Sequence, residues 1–203
     1  MLQPGSINRF KLPVSDGGAL DFTVGRMSKM IQDAKSDPLV IATARKISAI
    51  TTSSRKAREG ERDLLVLKGI HAWCKSNFEH VKDPVNIELI QPPNRMLREL
   101  EIPPQLHMLM WKPIAKVLGG KLPRPKMTGD SDESTTLALA LAAAVGIAPL
   151  RIRLGGIDGT ICYGWGAAQT AGKWWNLDIL TPGFNKYPKG FQIIEEVDVP
   201  LHV

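Results

Sequence analysis

Two residues of this chain, Tyr163 and Asp178, have the types and spacing that invite chemistry. Strand register decides whether they meet. If Ala171-Gly172 is a two-residue hairpin turn, Thr170 pairs with Lys173, Trp165 stands opposite Asp178 and Tyr163 opposite Leu180. Tyr163 and Asp178 are then diagonal neighbours on one sheet face, within reach of each other's side chains. A slip of one residue would put them on opposite faces. Asp178 sits among Trp174, Trp175 and Leu177, the setting of a partly buried carboxylate that needs a specific partner. A phenol with a pKa of about 10 is protonated at neutral pH and makes a poor base. Beside an anion it donates its O–H instead, so a Tyr163–Asp178 hydrogen bond is expected.

Ser131 belongs to Gly129-Asp130-Ser131-Asp132-Glu133, directly ahead of an Ala/Leu-rich stretch. Acidic and hydroxyl residues at such a point suit a helix N-terminus, and capping explains Asp132 and Glu133 better than a catalytic acid pair does. A serine hydroxyl needs a general base to attack anything, because it has almost no alkoxide at neutral pH. Gln91 and Trp111 are candidates to line a cleft or complete an oxyanion hole, Trp111 being better explained by packing, and Asp130, Asp132 and Trp165 complete the cleft set. Strand alternation points Cys162 away from Tyr163, into the core, and Cys74 falls on an apolar helical stripe. His71-x-x-Cys74 has metal-ligand spacing but no second pair of ligands, and His80, His107 and His202 are scattered. Nothing in the chain implies a metal or cofactor, and no Walker loop, dinucleotide fingerprint or HExxH motif occurs.

The elements that must position these residues read as α+β: a helical N-terminal half, then a central helix packed on an antiparallel sheet. Residues 1–20 are an arm or short edge strand, and residues 21–203 form one domain. That domain is helical over about 21–120 and helix plus sheet over about 128–203. A first helix starts near Phe22 with Met27, Met30, Ile31 and Ala34 inward. Asp37-Pro38 opens a second with Val40, Ala44 and Ile47 inward. A charged link, Ser53 to Arg62, leads to a third that runs to about Val81, burying Leu67, Ile70, Cys74 and Phe78. Pro92-Pro93, Pro103-Pro104 and Gly119-Gly120 then divide the chain into short pieces. The helix that follows Ser131 should stop at Gly146. Beyond it, Leu150, Ile152 and Leu154 alternate with Arg151 and Arg153, and strands are expected over Ile161–Thr170, Lys173–Ile179 and Phe191–Val199.

The chain has 203 residues, 43% of them hydrophobic and 23% charged, ordinary for a globular domain and too apolar for a disordered one. No apolar run reaches the roughly 18 residues of a membrane helix. The start MLQPGSINRF lacks the apolar core of a secretory signal, and two cysteines cannot make a disulfide framework. Together these point to a cytoplasmic protein. The net charge is +6, yet basic and acidic residues are interspersed and the densest stretch, Lys121, Arg124 and Lys126, carries no interleaved aromatics. A nucleic-acid face is therefore the weakest of the readings.

A nucleophile at a helix N-terminus beside a hairpin that carries base and acid resembles the papain-like enzymes, where the helix supplies N–H donors and a field that favours the anion. More closely, Gly129-Asp130-Ser131-Asp132 with its apolar helix, then YGWGAAQTAGKWWNLDILTP, resembles the transglutaminase-like superfamily. The upstream IHAWCKSNFEHVKDPVNIELIQPP is similar to its small phage- and prophage-encoded members. The likeness covers roughly residues 20–200. It implies a Cys-His-Asp triad that here reads Ser131-Tyr163-Asp178, with the family's usual separation of 15 residues between the last two. It also implies an impaired or inactive domain that serves as a phage-associated binding or structural module. The implied partner is a protein or peptide bearing glutamine or another amide, phage structural proteins included, in a bacterial host's cytoplasm or on the virion. The alternative is an active peptidase, amidase or acyltransferase that uses Ser131.

Overall fold

The computed structural model describes residues 8–10, 18–53, 59–83, 88–101 and 125–201. Trp111, His107, His202, the Pro103-Pro104 and Gly119-Gly120 breaks and the basic residues Lys121 and Arg124 lie outside them. The described elements run β1 (Asn8–Phe10), α1 (Gly18–Ala34), α2 (Pro38–Thr52), α3 (Glu59–Asn77), β2 (Phe78–His80), β3 (Glu88–Ile90) and α4 (Pro93–Glu99). They continue with β4 (Met127–Gly129), α5 (Ser131–Ala144), β5 (Leu150–Ile157), β6 (Thr160–Thr170), β7 (Lys173–Leu177) and β8 (Gln192–Val199). The class is α+β, with most helices in the N-terminal half and α5 packed on an antiparallel sheet of order β7-β6-β5-β8.

The axis of the molecule is α5. Every residue from Glu133 to Ala143 is buried, as a helix apolar on all sides must be. Four helices, α1 to α4, surround it and β6 crosses the remaining side. There the approach is close enough that a Cβ on Gly166 would stand 2.9 Å from Leu139. Asp130 caps the helix by accepting from the Asp132 N–H (2.9 Å), while Glu133 reaches back to the Asp130 N–H (3.0 Å), a reciprocal capping box. At the other end Gly146 takes φ +84°, and the N–H groups of Gly146 and Ile147 bond the carbonyls of Ala143 and Ala142. The helix ends at Ala144, and Gly146 closes it where the sequence predicts a stop.

The helix faces match their stripes: Met27, Met30, Ile31 and Ala34 of α1, Val40, Ala44 and Ile47 of α2, and Leu67, Ile70 and Cys74 of α3 are all buried. Asp37 caps α2, accepting from the Leu39 N–H at 2.9 Å. Three boundaries differ from expectation. α1 opens at Gly18, four residues before Phe22. α3 ends at Asn77, because Phe78, Glu79 and His80 leave the helix to pair in parallel with Met127, Thr128 and Gly129. β7 ends at Leu177, where Asp178 folds its carboxylate onto the N–H of Leu180 (3.0 Å) and so turns the chain out of the ladder.

Candidate functional site

The hairpin register is the expected one: Thr170 faces Lys173 and Gly166 faces Leu177. Tyr163 and Asp178 are thereby brought together, the phenol donating to Asp178 Oδ1 at 2.9 Å. Asp178 is 3% exposed, and its Oδ2 has no hydrogen-bond partner among the described residues. Burial raises its pKa above the ordinary carboxylate range, against the opposing hydrogen bonds from Tyr163 and the Leu180 N–H. The phenol is pushed far up, by burial first and then by Asp178, with Asp130 and Asp132 adding to it. Tyr163 is therefore a proton donor and not a base at any physiological pH.

The acid end of the pair is held from α3. His71 is buried, and its Nε2 lies 3.0 Å from the carbonyl of Asp178; since a carbonyl only accepts, the ring proton sits on Nε2. Burial lowers the His71 pKa, helped by the nearby Lys75 charge and opposed by this hydrogen bond to the Asp178 carbonyl. One turn on, Lys75 Nζ donates to the carbonyls of Thr181 and, at 3.4 Å, Ile179, while Thr181 Oγ1 donates to the Asp178 carbonyl at 3.1 Å. Neither His71 nor Lys75 was expected in this role. The only sequence signal is a histidine on an otherwise apolar stripe, next to Ile70 and one turn before Cys74.

Ser131 occupies the first turn of α5 on the wall of a cleft of about 290 Å³. The cleft is shared with Asp130, Asp132, Tyr163 and, from α1, Val24 and Met27. The Ser131 hydroxyl donates to Asp132 Oδ1 at 3.3 Å. Ser131 thus faces carboxylates, a field that opposes formation of an alkoxide or of an oxyanion beside it.

The other candidates separate. Asp130 and Asp132 line the cleft, and each also serves the helix start. Gln91 reaches α5 through its backbone, its N–H donating to Glu133 Oε1 at 3.0 Å, and does not line the cleft. Trp165 is also off the cleft wall. It is fully buried behind Tyr163, its Nε1 donating to Asn176 Oδ1 (3.0 Å) and its ring stacked on Tyr187. Cys74 is core, and burial drives its thiol pKa up. Cys162 corrects the alternation argument: it is exposed and lines the cleft with Ser131. The ladder passes from Gly155–Tyr163 to Gly156–Ile161, leaving Cys162 as the extra residue of a bulge. The Gly155-Gly156 doublet inside a strand pattern is the signal that marks such a place. No group of three or more metal-binding side chains occurs among the described residues.

Glu133 ties the site's base together. It is 1% exposed, it accepts from the N–H groups of both Gln91 and Asp130, and burial, then Asp130, pushes its pKa up to about 9.

No family model matches this chain, no curated protein matches it, and no solved structure matches its fold. No described helix is long and apolar enough to cross a membrane.

Proposed function

We propose that this chain is a transglutaminase-like, papain-type domain whose triad positions hold Ser131, Tyr163 and Asp178, and that it acts as a binding or structural module instead of an acyl-transfer enzyme. The observation that carries the reading is the Tyr163–Asp178 hydrogen bond, in which the residue at the base position donates to the acid and keeps its own proton. A hydroxyl whose hydrogen bond runs to the adjacent Asp132 carboxylate, with a protonated phenol where a triad needs its base, has no imidazole-type base to take its proton. The amide-bearing partner and the phage association rest on the resemblance of sequence alone.

Two measurements test it. An acylating fluorophosphonate probe should leave Ser131 unlabelled; labelling there would establish the active hydrolase or acyltransferase reading. The triad can also be restored by Ser131→Cys with Tyr163→His in a Cys162→Ser background, Cys74 being fully buried. Alkylation by iodoacetamide that persists well below pH 7 would report a thiolate paired with imidazolium, and hence an inherited catalytic frame. Titration as a plain thiol at about 8.5 would sink the transglutaminase-like assignment of the site.

A further inference from the structure

The cleft at Ser131 is not closed on its α1 side. A second groove, of about 410 Å³, runs between α1 and β8. Val24 and Leu154 line both, so the two adjoin across a single apolar sill. The α1 wall of the second groove is smooth at Gly25, where an added Cβ would meet nothing within 4 Å. On the opposite side stands β8, which pairs with β5 along one edge only among the described residues.

The charge along this path opposes that of the chain. The protein carries +6 overall. Among the described residues, the cleft contributes Asp130 and Asp132, and the groove adds Asp21, Glu195 and Asp198, against a single cation, Lys29. Lys29 is bonded to Asp33 at 3.0 Å, so its charge is already answered from α1. Asp198 shares Arg151 with Glu196, which leaves Asp21 and Glu195 to set the groove's sign. A long, open, negatively lined path with an apolar sill fits an extended chain whose aliphatic stems end in positive charge. It repels nucleic acid, whose phosphates would face these carboxylates.

We propose that the cleft and the α1/β8 groove together seat an extended, Lys- or Arg-bearing segment of another protein. The inference rests on the reading of the Ser131 cleft as a binding site and extends it to a second subsite and a partner class.

The test is fluorescence anisotropy on the full chain with labelled decapeptides of sequence (Lys-Ala)5, (Gln-Ala)5 and (Glu-Ala)5, at about 25 and about 300 mM NaCl. The lysine peptide should bind at least about tenfold tighter than the glutamine peptide, weaken with salt, and outcompete the glutamate peptide entirely. Gly25→Leu, which fills the groove while favouring the helix, should weaken it at least about fivefold, as should Glu195→Lys at an exposed position. Ser131→Trp fills the cleft alone. Loss in both Gly25→Leu and Ser131→Trp supports the continuous path. Loss in Gly25→Leu with wild-type binding in Ser131→Trp keeps the groove and removes the cleft as a binding site. Loss in Ser131→Trp with Gly25→Leu and Glu195→Lys unaffected overturns the groove while the cleft stands. Equal binding of the lysine and glutamine peptides, or none by the lysine peptide at about 1 mM, overturns the basic partner.

Discussion

The two ends of the Ser131–Tyr163–Asp178 constellation are built to different standards. At the acid end, a buried carboxylate takes two hydrogen bonds, its own carbonyl takes two more from His71 and Thr181, and Lys75 fastens the carbonyls that follow. At the Ser131 end, a partly exposed hydroxyl makes a long bond to the carboxylate beside it. The contrast teaches where the fold has invested. Asp178 terminates a strand, orients a phenol and joins the sheet to α3, so it is retained by structure whether or not chemistry occurs. Ser131 carries no comparable structural duty, and its identity is open to change without loss of the fold.

The largest consequence falls on Asp178. Asp178→Ala leaves the Tyr163 hydroxyl and the Leu180 N–H without their acceptor in a dry place, and should lower unfolding free energy by about 2–4 kcal/mol in urea titrations. A loss as small as that of a surface substitution would erase the contrast between the two ends.

Glu133 sharpens it from beneath Ser131. Its folded pKa stands at about 9 against 4.5 unperturbed, so the folded state keeps a proton that the unfolded state releases. Its contribution to stability is whole below pH 4.5 and is lost as pH rises to about 9. Glu133→Gln removes that titration. Unfolding free energy measured from pH 5 to pH 9 should then fall less steeply than in the parent, by about one group's worth of proton linkage. Since an amide NH₂ cannot accept, one of the two N–H donors loses its partner, at a cost of about 1–3 kcal/mol near pH 6.

Tyr163→Phe deletes a single hydrogen bond and leaves Asp178 its bond from Leu180; about 1 kcal/mol is expected in the same titrations. Ser131→Ala, at the open end, should stay within about 0.5 kcal/mol of the parent. Were Ser131→Ala to cost as much as Tyr163→Phe, the hydroxyl would have a structural partner that the cleft geometry does not supply.

Much of this was legible beforehand because it is local. Turn chemistry at Ala171-Gly172 fixes the register, and from the register follows the Tyr163–Asp178 bond. Capping residues at Asp37, Asp130 and Gly146 mark helix ends within the span of a single turn. What escaped depends on contacts between distant segments. His71 and Lys75 act on carbonyls more than a hundred residues away, and a carbonyl has no signature in a sequence. The parallel pairing of Phe78–His80 with Met127–Gly129 is likewise invisible, since three residues carry too little pattern to separate a strand from the last turn of a helix. Cys162 escaped because one bulged residue reverses an alternation that is otherwise regular along β6.

That short parallel pair changes what α3 is. Through His71 and Lys75 the helix grips the segment after Asp178, and through β2, with the Val81 N–H on the Gly129 carbonyl at 2.7 Å, it grips the strand that delivers Ser131. One helix with its strand extension thus ties both jaws of the site, like the beam of a calliper, so that the placing of Asp178 and of Ser131 is referred to a single stretch of chain.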